Sequence, residues 1–575
     1  MNLRRSVLLN RFLAFVLFVS LGACATTQPK QVQRIVRTPG GVVVSAEYFA
    51  SEAGAQMLRE GGHAVDAAIA TGLALAVTWP EAGNIGGGGF MLIRNADKQA
   101  KVVDYREMAP SKAHPKLFLT KDGKVDPYGV RLGALPAGIP GTIAGFAKAH
   151  QLYGRLPWKR LVQPAIALAR DGVIVDARIA APLRQRQKEM SQFPGTARVF
   201  YPGGKALKVG DRLVQPDLAR VLSIVADQGP QAFYRGALAK AMVTQVQKVG
   251  GIWTEADLAN YKAVVRDPIR FSYRNHTILS VPPPSSGGIA LGQMLGILEG
   301  FDLSSLAPHG SEYFHLLTEA MRRAFLERTM FLGDADFVRV DVARLLSRER
   351  LDALRSGIDR EWAAKSLDIA PPGLIGDSGK IDGSTTHFGV IDSNGNSVSN
   401  TYTIEESWGA KMVLDGFGYL LNNEMHDFNV KPGDTTTKGR IGTPPNLIAP
   451  GKRPLSSQTP SMIERDGNLF AVVGSPGGRT IINTVLQMIL NLTILKMDPL
   501  MAVKAPRIHH QWMPDSIFVE PAVPEQVRAA LRAKGHTVID RKRNHGHANT
   551  IALDPETGDW VGVADPRRGG HVAIQ

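Results

Sequence analysis

Apolar and polar positions along this chain follow two spacings, which together predict a mixed α/β fold. Small or apolar residues recur at helical spacing in segments 51–60, 64–77, 314–331 and 481–495. Strand-like alternation dominates residues 385–423 and returns at 468–474 and 548–564. Periodicity alone does not predict a more specific fold class than mixed α/β.

The segment Gly383-Ser384-Thr385-Thr386 opens one of these strand-like runs. A threonine inside a chain is a weak nucleophile, because no base lies beside its hydroxyl. If the chain cleaved itself between Ser384 and Thr385, the new α-amine would act as a base for the threonine's own Oγ1. Thr385 is therefore a candidate nucleophile, and an ordinary threonine pair at a strand start is the alternative interpretation.

The residues after Thr385 predict a β-hairpin. Asn394-Gly395 is a strong short-range hairpin signal between two strand-like runs. Pairing across this turn would bring Thr403 or one of its neighbours alongside Thr385, where a second hydroxyl would orient the nucleophile.

Two polar loops add candidate binding groups. Ser456-Ser457 lies in a loop bounded by Pro454 and Pro460. Gly477-Gly478 precedes the apolar segment 481–495. Consecutive glycines at a helix start expose backbone N–H groups, which suits an oxyanion site.

Composition and charge narrow the function classes. The chain has 575 residues, of which 44% are hydrophobic and 21% charged, so it can bury a large core. Its net charge of +15 suggests an anionic partner, but the basic residues are scattered and no nucleic-acid module accompanies them. We therefore expect no nucleic-acid partner and interpret the charge as a surface that faces an anionic cell envelope.

The first residues predict export and a lipid anchor. Arg4 and Arg5 precede the mostly apolar run 12–23, which is too short to span a membrane, so residues 1–23 fit a lipoprotein signal peptide. Cys24, the only cysteine of the chain, follows Leu21-Gly22-Ala23 and is the predicted lipidation site. Residues 24–37 are predicted as a tether. A secretory protein cleaved nearby, or a buried thiol, is the alternative.

The sequence gives little support for a metal site or for other catalytic and phosphate-binding motifs. The histidine pairs His509-His510 and His545-Gly546-His547 lack the spacing of a metal site, so no metal is predicted. No GxSxG or Walker motif occurs. The glycine run 86–89 is interpreted as a close-packing element beneath the site.

The chain resembles the γ-glutamyltranspeptidase family of N-terminal-nucleophile hydrolases over roughly residues 36 to 570. The resemblance is carried by the segments already described and by further motifs in the same order, namely Asn84-Ile85-Gly86-Gly87-Gly88-Gly89-Phe90, Asp104-Tyr105-Arg106-Glu107, Gly138-Ile139-Pro140-Gly141-Thr142, Pro282-Pro283-Pro284-Ser285-Ser286-Gly287-Gly288, Leu421-Asn422-Asn423-Glu424-Met425, Ala505-Pro506-Arg507-Ile508-His509-His510-Gln511-Trp512 and Asp565-Pro566-Arg567. It implies a four-layer αββα sandwich and no cofactor. It also implies self-cleavage between Ser384 and Thr385 into a large subunit, 38–384, and a small catalytic subunit, 385–575, which form a heterodimer.

The resemblance also assigns roles at the site. It makes Thr385 the nucleophile, assisted by Thr403, and the N–H groups of Gly477 and Gly478 the oxyanion donors. The α-carboxylate of a γ-glutamyl substrate such as glutathione falls to Arg106, Ser456 and Ser457, and its ammonium to Glu405, Glu424 and Asp427. Many relatives carry an amide where this chain has Glu405, so this pocket is expected to be more acidic than usual.

Three functions remain open after this comparison. The favoured one is a γ-glutamyltransferase and glutathione hydrolase that releases the acyl group to water or to an amino acid or peptide. A cephalosporin or glutaryl acylase shares the fold and the nucleophile, and a catalytically silent envelope lipoprotein would keep only the fold. The loop 430–451 is expected to act as a lid over the site, and we expect the protein on a membrane facing the periplasm.

Overall fold

β-Strands set the architecture of the computed structural model, which describes residues 32–374, 385–438, 440–541 and 544–575. In chain order the strands are β1 (Ile35–Thr38), β2 (Val42–Ser45), β3 (Gly88–Arg94), β4 (Ala100–Asp104), β5 (Val173–Ile174), β6 (Arg212–Leu213), β7 (Val264–Arg266), β8 (Ile269–Tyr273), β9 (His276–Ser280), β10 (Thr385–Ile391), β11 (Ser397–Thr403), β12 (Ser461–Arg465), β13 (Asn468–Val473), β14 (Ile508–His509), β15 (Ile517–Val519), β16 (Val538–Asp540), β17 (Thr550–Leu553), β18 (Trp560–Val563) and β19 (His571–Ile574).

Most of these strands form two seven-stranded antiparallel sheets. Sheet I has the order β19-β2-β10-β11-β3-β4-β7, and sheet II has the order β1-β18-β17-β13-β12-β9-β8. The remaining strands form two small sheets, β14-β15-β16 and β5-β6.

Side-chain alternation places the two sheets face to face. In β2, Val42 and Val44 pack between the sheets with Leu279 and Met462 of sheet II. Val43, between them in sequence, points to the opposite face and packs among the helices. Successive side chains of a strand face opposite sides, so each sheet buries one face against the other sheet and one against helices.

Helices cover both outer faces. In chain order they are α1 (Tyr48–Arg59), α2 (Ala64–Thr78), α3 (Thr142–Tyr153), α4 (Trp158–Asp171), α5 (Ala177–Gln185), α6 (Gln187–Met190), α7 (Pro194–Phe200), α8 (Pro216–Gln228), α9 (Gly236–Lys248), α10 (Glu255–Asn260), α11 (Gly287–Leu298), α12 (Ser311–Phe331), α13 (Val342–Leu345), α14 (Arg348–Ser356), α15 (Thr480–Thr493), α16 (Pro499–Lys504) and α17 (Glu525–Ala533). Residues of α1 to α4 share a core with sheet I, and residues of α11, α12 and α15 share a core with sheet II. The predicted αββα sandwich is confirmed.

The chain segments before and after Thr385 interleave within both sheets. In sheet I, β2 lies between β19 and β10, and β11 lies beside β3. In sheet II, β12 pairs with β9 and β18 pairs with β1. A cut before Thr385 would therefore leave both products within the same two sheets.

The predicted helices are confirmed with small shifts of their ends, as α1, α2, α12 and α15. The predicted strand region 385–423 is wrong beyond Thr403. Glu405, Trp408 and Lys411 adopt positive φ angles of 75°, 67° and 63°. A strand needs extended backbone, so these left-handed residues end the strand and begin an irregular loop.

The start of the folded chain also differs from the prediction. The tether was expected to reach residue 37, but Ile35–Thr38 pairs with Trp560–Val563 as an edge strand. The predicted signal peptide, Cys24 and Ser384 lie outside the described residues. Within the described part of the chain, no helix combines the length and apolar character that a membrane crossing requires.

Candidate active site

The hairpin of β10 and β11 brings the two predicted threonines together. Thr385 pairs directly with Thr403 in the strand register, and its Oγ1 donates to the Oγ1 of Thr403 at 3.4 Å. The Thr403 Oγ1 also accepts the N–H of Glu405 at 2.8 Å. The second hydroxyl is thus held in place beside the candidate nucleophile.

Thr385 lies on the face of β10 that points between the sheets. Two residues further along the strand, the ring of His387 packs against Gly474. A Cβ added to Gly474 would lie 2.2 Å from this ring. His387 Nδ1 lies 2.9 Å from the hydroxyl of Thr401 on the paired strand, and burial lowers the pKa of this histidine to about 3, so it is neutral. Thr385 is only 5% exposed and opens onto a cavity of about 460 Å³.

The glycine loop before α15 requires glycine for its backbone. Gly477 and Gly478 have φ angles of 130° and 58°, a region that other residues rarely adopt. Their carbonyls accept the N–H groups of Thr480 and Ile481, which begins the helix. Gly478 lines the cavity that Thr385 faces.

Glycines also allow close packing beneath β11, as expected for the run 86–89. A Cβ on Gly87 would lie 2.0 Å from the carbonyl oxygen of Thr403. The side chain of Asn84 donates to that same carbonyl at 2.9 Å and accepts the N–H of Gly87 at 2.9 Å. The glycine run thus fixes the backbone that carries Thr403.

Arg106, just after β4, is already paired with three carboxylates, one of them Glu107, whose Oε2 lies 3.5 Å from the Arg106 Nη1. Its Nη1 pairs with Glu424 and its Nη2 with Asp427, both on the short 3-10 helix Glu424–Asp427. Burial opposes the charge of Arg106, but the neighbouring carboxylates raise its pKa. Burial also raises the pKa of Glu424 well above its usual range. The predicted carboxylate-binding cation and two predicted ammonium-binding anions therefore form one cluster.

The carboxyl groups of Glu405 and Glu406 have very different pKa values, although the two residues are adjacent in the chain. Burial raises the pKa of Glu405 to about 7, against the effect of His426, whose Nδ1 lies 3.6 Å from Glu405 Oε1. Burial would also raise the pKa of Glu406, but Arg131 at 2.5 Å and Lys411 at 2.7 Å lower it to about 2. Among the described residues, Glu405 Oε2 is buried with no hydrogen-bond partner.

The serine loop brings in an arginine that the sequence did not single out. Ser456 Oγ accepts the N–H of Gln458 at 3.0 Å, and Ser457 Oγ accepts a hydrogen bond from Arg328 Nη2 at 3.1 Å. Arg328 lies near the end of α12 and lines the cavity, as does Arg479.

The loop 430–451, the expected lid, borders the cavity. Val430, Arg440, Ile441, Thr443 and Asn446 of the loop line it. The loop holds itself together through the N–H of Gly433, which donates to the carbonyl of Gly442 at 2.8 Å.

Among the residues that the structure describes, two clusters of histidine and carboxylate side chains have ligand atoms within 4.8 Å of one another, His315-Glu319-His536 and Glu405-Glu406-His426. In the first, Glu319 is bound by Arg322 and Arg323, and His315 Nδ1 lies 2.7 Å from His536 Nε2. In the second, Glu406 is bound by Arg131 and Lys411. These protein partners occupy ligand atoms that a metal would need in either cluster.

The cavity therefore gathers nearly every site residue that the sequence predicted. Nine of them line it, namely Arg106, Thr385, Thr403, Glu405, Glu424, Asp427, Ser456, Ser457 and Gly478. Gly477 is adjacent in the chain. The sequence missed Arg131, Arg328, Glu406, His426 and Arg479, although Glu406 and His426 directly adjoin predicted residues.

Two face-to-face antiparallel sheets covered by helices, with a threonine at the start of a central strand, are the arrangement of N-terminal-nucleophile hydrolases. A family model described as gamma-glutamyltranspeptidase matches residues 50–575. The chain belongs to the γ-glutamyltranspeptidase family.

Similarity to individual proteins supports this family assignment. The glutathione hydrolase proenzyme of Escherichia coli (strain K12) is 42% identical over 537 residues, which cover 92% of this chain and 91% of that protein. The acylase ACY 1 proenzyme of Pseudomonas sp. (strain SE83) is 38% identical over 543 residues, 93% of each chain. The crystal structure of the cephalosporin acylase from Bacillus halodurans matches with a TM-score of 0.83 at 26% identity, over 97% of this chain and 99% of that one.

Proposed function

We propose that this protein is a self-processing γ-glutamyltransferase and glutathione hydrolase. The observation that carries the proposal is the cavity itself, in which the paired hydroxyls of Thr385 and Thr403 face a cluster of carboxylates and guanidinium groups. The family relationship and the relatives named glutathione hydrolase proenzyme support the same conclusion.

The proposed first step is cleavage of the peptide bond between Ser384 and Thr385. It gives a large subunit, 38–384, and a small one, 385–575, that remain together as a heterodimer. Cleavage gives Thr385 a free α-amine next to its own hydroxyl, which supplies the general base that a threonine otherwise lacks.

In the proposed reaction the Thr385 Oγ1 attacks the γ-carbonyl carbon, and its proton passes to the α-amine. The oxyanion that forms is stabilised by the N–H groups of Gly477 and Gly478. The intermediate collapses as the C–N bond breaks, and the amine leaves with the proton from the α-amine. Water, or the amine of an amino acid or peptide, then attacks the γ-glutamyl ester and regenerates Thr385.

The charges of the cavity suit the two groups on the substrate's α-carbon. We assign the ammonium to Glu405, Glu424 and Asp427, and the α-carboxylate to Arg106, Ser456 and Ser457. Arg106 contributes positive charge to this region, and its ion pairs also fix Glu424 and Asp427 in position.

The acylase alternative rests on relatives such as the acylase ACY 1 proenzyme. A glutaryl group lacks the α-ammonium of a γ-glutamyl group. Without that ammonium, the buried Glu405 Oε2, which has no hydrogen-bond partner among the described residues, would stay unpaired, which is unfavourable. The acidic pocket therefore favours γ-glutamyl substrates.

We place the protein in the bacterial cell envelope. Residues 1–23 would direct export, and acylation of Cys24 would hold the mature protein on a membrane facing the periplasm. The support for this part is the sequence of the leader and its single cysteine.

Incubation of the purified protein with glutathione tests the activity. We expect free glutamate to appear with time, and a γ-glutamyl peptide to appear when a dipeptide acceptor is added. Thr385→Ala is the matched control and should form neither product. A correctly cleaved protein that released no glutamate from glutathione, but released glutarate from a glutaryl amide, would establish the acylase instead. Inactivity on both would favour the silent lipoprotein.

A further inference from the structure

His426 lies beside Glu405 in the wall of the cavity, and the two side chains form a loose pair. The Nδ1 of His426 lies 3.6 Å from the Oε1 of Glu405, which is too long for a hydrogen bond but close enough for an ion pair. Both residues line the cavity that Thr385 faces, and the His426 side chain is 29% exposed, so its ring can exchange a proton with solvent. Within the part of the chain that the structure describes, His426 Nδ1 and Glu405 Oε2 are buried atoms without a hydrogen-bond partner.

The other charged side chains around this pair are bound to one another. They are Glu406 with Arg131 and Lys411, and Arg106 with Glu424 and Asp427. Glu406 Oε1 lies 4.0 Å from His426 Nδ1, but two cations already meet the charge of that carboxylate. Among the described residues, His426 is thus the neighbour that can neutralise Glu405 while the cavity is empty.

Each member of the pair favours the charged form of the other. Burial would lower the pKa of His426, but Glu405, together with Glu406 and Asp427, raises it above its usual value. Burial raises the pKa of Glu405 to about 7, and His426 acts against that rise. Two groups this close titrate as a unit, so near neutral pH they share a proton rather than ionise independently.

An ammonium group at Glu405 would change this balance. Placed against Glu405 Oε2, it supplies the counter-charge that His426 supplies in the empty cavity. A second cation beside the imidazolium disfavours the protonated ring. Imidazole changes its charge near neutral pH, whereas the guanidinium of Arg131 stays charged, so His426 is the cation that responds.

We propose that His426 is a positioning residue of the donor site, which neutralises Glu405 as an imidazolium while the cavity is empty and is replaced there by the donor's ammonium. On binding, an N–H bond of the ring breaks, its electron pair stays on nitrogen and the proton passes to water. This assignment rests on the proposed function and extends it. Recognition of the α-ammonium then depends on pH and on a side chain that does not itself bind the donor.

Proton release on ligand binding tests the assignment without any turnover. L-Glutamate and L-2-hydroxyglutarate differ only in that a hydroxyl replaces the α-ammonium. Both bring the same carboxylate to the Thr385 α-amine, so any proton exchange there cancels in the comparison. Titration calorimetry at pH 7, in buffers of different ionisation enthalpy, counts the protons that each ligand releases. We expect glutamate to release about half a proton more than hydroxyglutarate, because a group with a pKa of about 7 is half protonated at that pH.

His426→Gln removes the counter-cation of Glu405 and keeps a polar side chain. The Glu405 carboxyl should then stay protonated to higher pH. The pH below which glutamate affinity falls should rise by about one unit or more, the usual effect of losing an opposite charge at this distance. Affinity for hydroxyglutarate should change little. His114→Gln is the matched control and should bind both ligands as the wild type does, because His114 is exposed and lies outside the residues that line the cavity.

Three results with these ligands would overturn the assignment. One is equal proton release by glutamate and hydroxyglutarate in the wild-type protein. Another is an unchanged pH dependence of glutamate binding in His426→Gln. The third is a loss of affinity for both ligands in that variant, which would give His426 a structural role.

Histidine spectra decide the question if His426→Gln does not form cleaved subunits. In wild-type protein labelled with ¹³C in the histidine rings, one resonance should report the loss of a proton when glutamate is added at pH 7. Hydroxyglutarate should leave that resonance in place. A spectrum in which no histidine responds in this way would contradict the assignment.

The outcomes for the activity and for His426 are separate. Turnover of glutathione without proton release linked to glutamate would keep the proposed function and overturn this assignment. Proton release linked to glutamate, in a protein that does not turn over glutathione, would support the assignment and refute the proposed function. Failure of glutamate to bind would overturn the assignment whatever the activity.

Discussion

At the scale of single residues, two side chains connect the proposed chemistry to measurable behaviour. Thr385 becomes a catalyst only when the peptide bond before it breaks, because only then does its α-amine become free. Glu405 occupies a strained backbone position, with φ at 75°, in the part of the cavity that we assign to the substrate's ammonium.

Replacement of Thr385 should abolish both processing and turnover. Thr385→Ala lacks the hydroxyl that attacks the preceding carbonyl, so we expect a single uncut chain and no release of glutamate. Denaturing electrophoresis and N-terminal sequencing measure this. A wild-type small subunit that began at any residue other than Thr385 would contradict the assignment.

Glu405 should set part of the pH dependence. Burial raises its pKa to about 7, so its carboxylate forms as the pH rises through neutrality and is lost as the pH falls. Only the anion attracts the substrate's ammonium, so kcat/KM should fall below neutral pH. The Thr385 α-amine must also be unprotonated to act as a base. Its usual pKa is about 7.7–8.0, so its protonation lowers kcat/KM over a similar pH range.

Glu405→Gln separates the two ionisations, because it keeps the side-chain shape and cannot titrate. On the acidic side of the pH profile, kcat/KM of this variant should fall less steeply than that of the wild type, because one ionisation fewer contributes. Glu405→Asn should show the same limb and also unfold at a higher temperature, because asparagine tolerates positive φ better than glutamate. An unchanged pH profile in both variants would exclude Glu405 from ammonium binding.

At the scale of elements, the hairpin of β10 and β11 and the glycine run beneath it position the two hydroxyls. Gly87 permits the approach of the Thr403 carbonyl, at a distance that no side chain would allow. The site thus depends on a contact between two elements that are more than three hundred residues apart in the chain.

Gly87→Ala should disturb this contact. The added methyl group would lie 2.0 Å from the Thr403 carbonyl oxygen, and overpacking of this kind costs about 1–3 kcal/mol. We expect a lower melting temperature and slower self-cleavage, measured by calorimetry and electrophoresis. Gly40→Ala is the control, because its Cβ would meet only Thr38 Oγ1 at 3.5 Å. Equal behaviour of the two variants would exclude the contact as a determinant.

Local signals predicted the elements around Thr385 well. Asn394-Gly395 predicted the hairpin, and the hairpin register then placed Thr403 opposite Thr385. The predicted strand region runs too far because apolar alternation does not report the backbone angles of Glu405, Trp408 and Lys411, which adopt positive φ and end the strand.

The sequence could not reveal which partners a buried residue has. Helical spacing identified α12 but did not show that Arg328 meets Ser457, more than a hundred residues later. Likewise, Arg106 and Glu424 were predicted as separate ligands of the substrate, and only the folded chain pairs them directly.

At the scale of the whole molecule, the anchor and the catalytic body should be separable. Acylation at Cys24 would hold the protein firmly, since each buried methylene contributes about 0.8 kcal/mol. We expect the wild-type protein in membrane fractions that resist salt extraction, and Cys24→Ser in the supernatant with full activity. Fractionation followed by immunoblotting measures this. Cys24→Ser that stayed on salt-washed membranes would contradict lipid anchoring.

The interleaved strands give the proposed cleavage a thermodynamic consequence. The uncut chain folds in a unimolecular reaction, whereas refolding of the cleaved protein requires two chains to find each other and exchange strands in both sheets. Separated subunits would expose unpaired strand edges, which favour aggregation. Denatured Thr385→Ala should therefore regain its structure on dilution, while the denatured mature protein should not, or should do so only with a yield that depends on concentration. Maturation would then convert a reversible fold into one that persists because its unfolding is slow.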